Sequence, residues 1–203
     1  MARRDLEDRK MEFEYIEKKE EGRFINRYDI HYRMEDGNEK VYEMVSRSKK
    51  ISDFEELHNP KEDAVAIIMH DESGEKILIN REFRMAMGKW VYNFPAGLID
   101  EGETREQAAR RELKEETGLD ILRIDKWWGP CYSAIGFSNE RNACCVGVAG
   151  GIFSESTSLQ EEIEPRWYTR AEVRDLLEKE FFAVRTQAYC YLWSHSPAGT
   201  VNE

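Results

Sequence analysis

The sequence lacks the features that define several classes of protein. None of its apolar runs approaches the roughly 18 residues of a transmembrane helix, and the charged segment 1–10 has no signal-peptide core. The 203 residues include only four cysteines, and no two of these form a CxxC pair. These absences predict a cytoplasmic protein without a membrane anchor, whose cysteines stay reduced rather than forming a disulfide framework.

The sequence also lacks an excess of positive charge. The chain carries 41 acidic and 30 basic residues, for a formal net charge of −11, which argues against nonspecific nucleic-acid binding through a basic surface. The four histidines are scattered without an HxxxH spacing, so we do not expect a zinc site. An acidic protein can still bind phosphate groups when it supplies a divalent cation and nearby arginines.

Hydrophobic patterning predicts an α+β protein with two parts. Alternating apolar and polar residues around the turn signal Asp36-Gly37 predict a small antiparallel sheet within residues 11–48. The apolar run Ala64 to Met69 predicts a buried strand, and residues 81–96 are expected to form a long loop. Further strands are expected at 76–80, 121–127 and 143–152, and helices at 104–117, 170–180 and 183–193. We therefore divide the chain into an N-terminal sheet, residues 1–50, and a main domain, residues 51–203.

The segment 97–119 carries the strongest functional signal. Thr104 and Gln107 form a capping box that predicts the start of a helix at Arg105. Gly118 stands where the C-cap of that helix needs a left-handed residue. The segment therefore predicts one well-bounded helix preceded by a tight loop.

Three glutamates share one face of this predicted helix. At roughly 100° per residue, Glu112, Glu115 and Glu116 fall within a narrow arc, where their charges repel one another. A cation among them would offset that repulsion, and clustered oxygen ligands suit Mg²⁺ or Mn²⁺. Arg111 precedes Glu115 by one turn and is expected to hold its carboxylate in place. For any single glutamate, a solvated acidic helix face is the alternative.

The spacing of the charged residues is more specific than their number. It reads glycine, five residues, glutamate, seven residues, Arg-Glu-apolar, one residue, Glu-Glu, one residue, Gly-apolar. The matching positions are Gly97, Glu103, Arg111, Glu112, Leu113, Glu115, Glu116, Gly118 and Leu119. This segment resembles the box of the Nudix hydrolases at every position.

The resemblance implies a fold and a set of roles. In that family the box forms a loop, helix and loop on a mixed β-sheet that is sandwiched between helices. The implied activity is magnesium-dependent hydrolysis of a diphosphate linkage in a nucleoside diphosphate derivative. The implied metal ligands are Glu112, Glu116 and the carbonyl oxygen of Ala96, with Glu115 assisting under the control of Arg111, and with Glu103 and Gly118 supporting the box.

More of the chain resembles one subgroup, the ADP-ribose pyrophosphatases. The similar stretches are Arg81-Glu82-Phe83-Arg84, Gly88-Lys89-Trp90, Phe94-Pro95-Ala96-Gly97 and Gly136-Phe137-Ser138-Asn139-Glu140. The N-terminal sheet is also similar, and in those enzymes it builds a swapped homodimer. Ile135 stands where the subgroup typically carries proline, so related sugar nucleotides and dinucleotides remain alternative substrates to ADP-ribose.

Candidates for the remaining roles follow from the same resemblance. The subgroup takes its general base from an acidic loop after the box, and the matching loop here offers Glu161 first and Glu162 second. An exposed loop charge is the alternative for each. The candidate substrate-binding residues are Arg81, Arg84, Trp90, Gly97 and Glu140; the arginines match phosphate oxygens, and the tryptophan either stacks on a base or packs in the core.

Two other functions are compatible with the same box. One is pyrophosphohydrolysis of NADH, another dinucleotide or an oxidised nucleoside triphosphate. The other is a Nudix-fold ligand sensor without catalysis, which is disfavoured because such relatives usually lose box glutamates.

Overall fold

The structure is a computed structural model that describes residues 10–58, 61–157 and 161–196. These residues divide into two compact units. The first contains the described residues up to Asp63 together with Tyr132–Arg141, and the second contains Ala64–Cys131 and the described residues from Asn142 onward. The division of the chain into domains 1–50 and 51–203 stays a prediction.

The first unit is built on a three-stranded antiparallel sheet in the order β1-β2-β3. Its elements are β1 (Met11–Glu21), β2 (Asn26–Met34), β3 (Glu39–Ser46) and the short helix α1 (Phe54–Leu57). Side chains alternate along each strand, so Tyr28 and Ile30 of β2 point to one face and form a small core with Ile16 and Met44. The small antiparallel sheet predicted within residues 11–48 is confirmed.

The described part of the second unit contains a mixed seven-stranded sheet and three helices. The strands are β4 (Ala64–His70), β5 (Lys76–Arg84), β6 (Lys89–Asn93), β7 (Ala96–Leu98), β8 (Asp120–Tyr132), β9 (Arg141–Gly150) and β10 (Ile163–Thr169). The helices are α2 (Arg105–Thr117), α3 (Arg170–Lys179) and α4 (Val184–His195). The main path runs β10-β5-β4-β9-β8, with β6 paired to β5 and β7 paired to β4. β4 is parallel to β9 but antiparallel to β5 and β7, which makes the sheet mixed.

Helices cover both faces of this sheet. On one face, Ala109 and Leu113 of α2 pack in a core with Leu78 of β5. On the other face, Val173 of α3 and Trp193 of α4 pack in a second core with Ile77 and Ile79 of β5. The predicted fold, a mixed sheet sandwiched between helices, is confirmed. No helix within the described ranges is long and apolar enough to cross a membrane.

The prediction of a long loop over residues 81–96 is wrong. β5 continues to Arg84, the chain turns, and β6 returns antiparallel with Val91 opposite Glu82. The segment does not alternate cleanly between apolar and polar residues, because both faces of this hairpin meet other parts of the protein. Arg81, Arg84 and Trp90 therefore lie on strands, where their directions are set by the sheet.

Candidate active site on α2 and β5

Helix α2 has the boundaries that its capping residues predict. The Thr104 hydroxyl accepts a hydrogen bond from the Gln107 amide, the Gln107 side chain returns to the Thr104 backbone, and Gly118 takes a left-handed φ of 78°. Glu116 lies seven residues after Ala109 and three after Leu113, on the stripe that packs into the core. Its side chain is therefore carried inward, and only 5 % of the residue is exposed.

The Glu116 carboxylate is held by two neutral donors. Nδ2 of the buried Asn80 donates to Glu116 Oε2 at 2.7 Å, and the backbone amide of Ala96 also donates to this carboxylate. Burial raises the pKa of Glu116 well above its usual value, and the charges of neighbouring glutamates raise it further. A cation placed here would reverse this effect, because it would favour the ionised carboxylate.

Glu112 lies against the backbone of Gly97. A Cβ atom added to Gly97 would overlap the Glu112 carboxylate, so only glycine permits this close approach. Burial also raises the pKa of Glu112, while the guanidinium of Arg111 partly opposes the shift. The glycine that opens the box is therefore needed to seat a box carboxylate.

Arg111 ties the loop before the helix to the helix face. Its Nε and Nη2 donate to both oxygens of Glu103 at 3.0 and 2.9 Å, and Nη2 also donates to the carbonyl of Leu98. Its Nη1 donates to Glu112 at 2.8 Å and to Glu115 at 3.2 Å, which includes the expected contact one turn along the helix. The ion pair with Arg111 lowers the pKa of Glu103. Glu103 thus anchors the arginine that orients two box glutamates.

Two polar residues of β5 join this site although the sequence did not single them out. Leu78, Asn80 and Glu82 alternate onto the face of β5 that meets α2, and Glu82 is only 8 % exposed. Burial raises the pKa of Glu82, and its charge contributes to the raised pKa of Glu116. The sequence signal for both was a polar residue at every second position after the apolar Leu78. Asn80 ended the predicted strand 76–80, and the predicted loop 81–96 hid the continuation of this pattern to Glu82.

The acidic loop after the box also reaches this site. The amide of Phe83 donates to the carbonyl of Glu162 at 3.0 Å, and β10 begins with Ile163 opposite Glu82. The charge of Glu161 contributes to the raised pKa values of Glu82, Glu112 and Glu116. Part of the loop, residues 158–160, lies outside the described residues. We call Glu82, Glu112, Glu116 and Glu161 the acidic cluster.

The candidate substrate-binding residues lie in different places. Arg84 is on the same face of β5 as Glu82, with Nη1 3.6 Å from Glu82 Oε1. Arg81 is on the opposite face, where its guanidinium stacks on Trp90 at 4.2 Å and donates to Glu164. Glu140 belongs to the other unit and accepts hydrogen bonds from Arg47 and Ser133. Among these candidate side chains, Arg84 is the one that the fold of the second unit places next to the acidic cluster.

The side chains of the acidic cluster offer oxygen atoms only. Together with the unpaired Oδ1 of Asn80, they form the donor set that Mg²⁺ and Mn²⁺ prefer. Within the described part of the chain, no three carboxylate, histidine or cysteine side chains already converge as a set that could hold a metal ion. The roles predicted for Glu112, Glu115, Glu116 and the Ala96 carbonyl as metal ligands stay predictions.

Comparisons with known proteins show what this chain is similar to. A family model described as NUDIX domain matches residues 60–192. The NAD-capped RNA hydrolase NUDT12 of Macaca fascicularis is 32 % identical over 149 residues, which cover 68 % of this chain and 29 % of that protein. The ADP-ribose pyrophosphatase of Bacillus subtilis is 29 % identical over 126 residues, which cover 61 % of this chain and 67 % of that protein.

A solved structure shares the fold. The crystal structure of an ADP compounds hydrolase has a TM-score of 0.69 to this chain, with 20 % sequence identity, and the match covers 91 % of this chain and 92 % of that one. The chain spans only part of several curated relatives, including 29 % of NUDT12 and 55 % of the putative nudix hydrolase 2 of Caenorhabditis elegans.

Proposed function

Because this chain belongs to the Nudix family, we propose that it is a divalent-cation-dependent hydrolase that cleaves the diphosphate of a nucleoside diphosphate derivative. One observation carries the proposal. Glu82 and Glu116 are buried and Glu112 is half-buried where α2 packs on β5, and the pKa values of all three are raised by burial and by the charge of neighbouring carboxylates. Such an arrangement is costly for folding alone and becomes favourable when divalent cations and phosphate oxygens complete it.

The residues divide the chemistry among them. When bound, Mg²⁺ or Mn²⁺ would neutralise diphosphate oxygens and acidify the attacking water. Glu112 and Glu116 would hold the cation with the Ala96 carbonyl. Arg111 orients Glu112 and Glu115, because Glu103 fixes the other side of its guanidinium.

Glu161 is the preferred general base, with Glu162 as the second choice. A general base must reach the water that attacks phosphorus. The charge of Glu161 raises the pKa values of Glu82, Glu112 and Glu116, which supports a position of Glu161 near these carboxylates. Arg84 is the preferred phosphate clamp, since its guanidinium lies beside Glu82 and is half exposed. The remaining residues proposed to bind the substrate are Arg81, Trp90, Gly97 and Glu140.

ADP-ribose is the first candidate substrate, which would give AMP and ribose 5-phosphate. The similarity to an ADP-ribose pyrophosphatase supports this choice. The similarity to NUDT12, an NAD-capped RNA hydrolase, favours a second candidate, a dinucleotide such as NADH. Oxidised nucleoside triphosphates are a third class, and ligand sensing without hydrolysis is the alternative outside catalysis.

The test is a substrate panel of ADP-ribose, GDP-mannose, NADH and dGTP with Mg²⁺. For the diphosphate diesters, an added phosphatase releases phosphate only from the cleaved products; dGTP is followed by its nucleotide products. We expect turnover of ADP-ribose or NADH that falls by roughly 10²- to 10³-fold in Glu116→Gln. Glu106→Gln, an exposed glutamate on the same helix, is the matched control and should keep its activity. Binding of ADP-ribose without turnover of any panel member would support the sensor instead.

Assembly, location and domain division are also proposals. The N-terminal sheet supports a homodimer, as in the similar subgroup, and light scattering of the purified chain would test it. The composition supports a cytoplasmic location, which imaging of a tagged full-length protein would test. Limited proteolysis would test the division between residues 1–50 and 51–203.

A further inference from the structure

Glu82 is held by a chain of buried polar groups that begins in α4. The Thr186 hydroxyl accepts a hydrogen bond from the Phe94 amide at 3.1 Å and donates to Asn93 Oδ1 at 2.9 Å. Asn93 Nδ2 then donates to Glu82 Oε1 at 3.0 Å. Thr186 is fully buried and Asn93 is 7 % exposed, so this chain is shielded from water along its length.

This series of hydrogen bonds fixes the direction of the Glu82 carboxylate. Asn93 lies opposite Asn80 in the β5–β6 ladder, one diagonal step from Glu82, so a short side chain can reach the carboxylate. With its Oδ1 bound to Thr186, the Asn93 amide is left to present a donor to Glu82, which suits an acceptor-only carboxylate. The arrangement orients Glu82 without neutralising it.

Nothing in this chain of contacts offsets the charge of Glu82 fully. Among the described residues, the charges of Arg84, whose Nη1 lies 3.6 Å from Glu82 Oε1 and which is half exposed, and of Arg185 favour the ionised carboxylate. The charge of Glu161 opposes them, and Glu82 in turn adds negative charge near Glu116. Asn80, between Leu78 and Glu82 on the strand face, is fully buried and its Oδ1 has no hydrogen-bond partner. A buried carboxylate thus lies on the same strand face as a buried amide oxygen that lacks a hydrogen-bond partner, and a cation is a partner that both oxygens could share.

We propose that Glu82 is an additional carboxylate of the cation site, acting with Glu116 and Glu161, and that Asn93 and Thr186 are the residues that position it. This inference rests on the proposed function, and it extends the site from the box helix to β5. The purely structural alternative is that Glu82 serves only to satisfy Asn93. The two differ in whether the negative charge of Glu82, rather than its shape, matters for cation binding.

Glu82→Gln separates them, because glutamine keeps the shape and can still accept the hydrogen bond from Asn93. The measurement is Mn²⁺ binding to the metal-free full-length protein, by titration calorimetry and by the electron paramagnetic resonance of free Mn²⁺. We expect Glu82→Gln to weaken binding by about 10- to 100-fold, or to remove one bound ion. Thr186→Val should weaken it less and in the same direction, since it releases Asn93 but keeps the charge. Glu106→Gln is the control and should bind Mn²⁺ like the wild type.

The result that would overturn the inference is unchanged Mn²⁺ affinity and stoichiometry in Glu82→Gln. Folding is checked by the thermal unfolding midpoint without metal, which should be equal to or above that of the wild type because a buried charge is lost. Glu116→Gln distinguishes the two proposals: if it loses Mn²⁺ binding and turnover while Glu82→Gln keeps both, the proposed function stands and only the role of Glu82 fails. If the wild type binds no Mn²⁺ and hydrolyses no panel member, both fail.

Discussion

Glutamates occupy two contrasting environments in this protein. On the three-stranded sheet of the first unit, exposed acidic side chains form ion pairs with basic side chains. Glu14 lies 2.7 Å from Arg33, and Glu17 lies 2.5 Å from Lys19. The hydrogen bond from Lys19 lowers the pKa of Glu17. These pairs are ordinary surface electrostatics, screened by water and salt.

On α2 and β5, by contrast, glutamates are buried or half-buried and lie near other carboxylates. Burial is the main cause of the raised pKa of Glu82, Glu112 and Glu116, and other carboxylates add to the shift in Glu112 and Glu116. The side-chain amides of Asn80 and Asn93 orient Glu116 and Glu82 without neutralising them. The contrast teaches that the surface pairs do little for the fold, whereas the acidic cluster costs stability as long as no positive partner neutralises it.

Crowding the acidic cluster is expected to cause a large loss of turnover. Gly97→Ala would push the Glu112 carboxylate from its place, since the new methyl group would overlap it. We expect turnover to fall by about 10²-fold, the scale of a displacement of roughly 1 Å in an active site. Steady-state kinetics measures this. In Gly97→Ala/Glu112→Asp the shorter side chain relieves the overlap, so its unfolding midpoint should exceed that of Gly97→Ala; equal midpoints would contradict the steric explanation.

The second effect is on stability, and it depends on pH. Because the pKa of Glu116 is raised in the folded state, the unfolded chain loses this proton first as pH rises, and stability falls between the unfolded and folded pKa values. Glu116→Gln removes that loss. In EDTA at about pH 8 we expect the variant to be more stable by about 1–4 kcal/mol, with little difference near pH 4.5.

Chemical denaturation at both pH values measures the gain, with Glu106→Gln as the matched control. A Glu116→Gln protein that is less stable than the wild type at the higher pH would show that this carboxylate stabilises the fold, and the contrast between the two environments would be lost.

A buried group outside the acidic cluster gives the opposite pH dependence. His70 packs against Trp193, and its ring nitrogen lies 3.1 Å from the Tyr189 hydroxyl. Burial lowers the pKa of His70, so on acidification the unfolded chain binds this proton first and stability falls as pH drops through the unfolded pKa.

The slope from one histidine is at most about 1.4 kcal/mol per pH unit, and His70→Gln should remove it. Denaturation of both proteins between about pH 5.5 and pH 7.5 measures the two slopes. Parallel slopes would mean that His70 does not contribute to the acid sensitivity of this protein.

The smallest effect is expected on the surface of the first unit. Glu14→Gln removes one partner of the pair with Arg33, which water already screens. We expect the thermal unfolding midpoint to remain within experimental error, as scanning calorimetry would show. A loss as large as the change produced by Glu116→Gln would erase the distinction between the two kinds of glutamate.

The prediction from sequence succeeded where contacts are local. The capping box of α2 and the contact of Arg111 with Glu115 each connect residues within about one turn of helix, and the left-handed conformation of Gly118 depends on the helix end that it terminates. The spacing of residues in the sequence is therefore enough to specify all three features. The small N-terminal sheet was also predictable, because alternation and a turn signal lie in consecutive residues.

The prediction failed where strand register decides. Arg81, Arg84 and Trp90 were expected in one loop, yet β5 sends Arg84 toward Glu82 and Arg81 to the opposite face. A shift of one residue in the ladder would exchange these faces, and the sequence around them does not alternate clearly enough to choose.

By itself, the sequence determined helix α2, the order of its charged residues and the family to which the chain belongs. Only the tertiary structure decided that Asn80 would meet Glu116 across 36 residues, and that Glu82 would join them under the control of Asn93 and Thr186. The physical reason is that a helix sets its own side-chain positions through bonds along one segment, whereas a carboxylate on a strand is placed by the pairing and packing of segments distant in sequence.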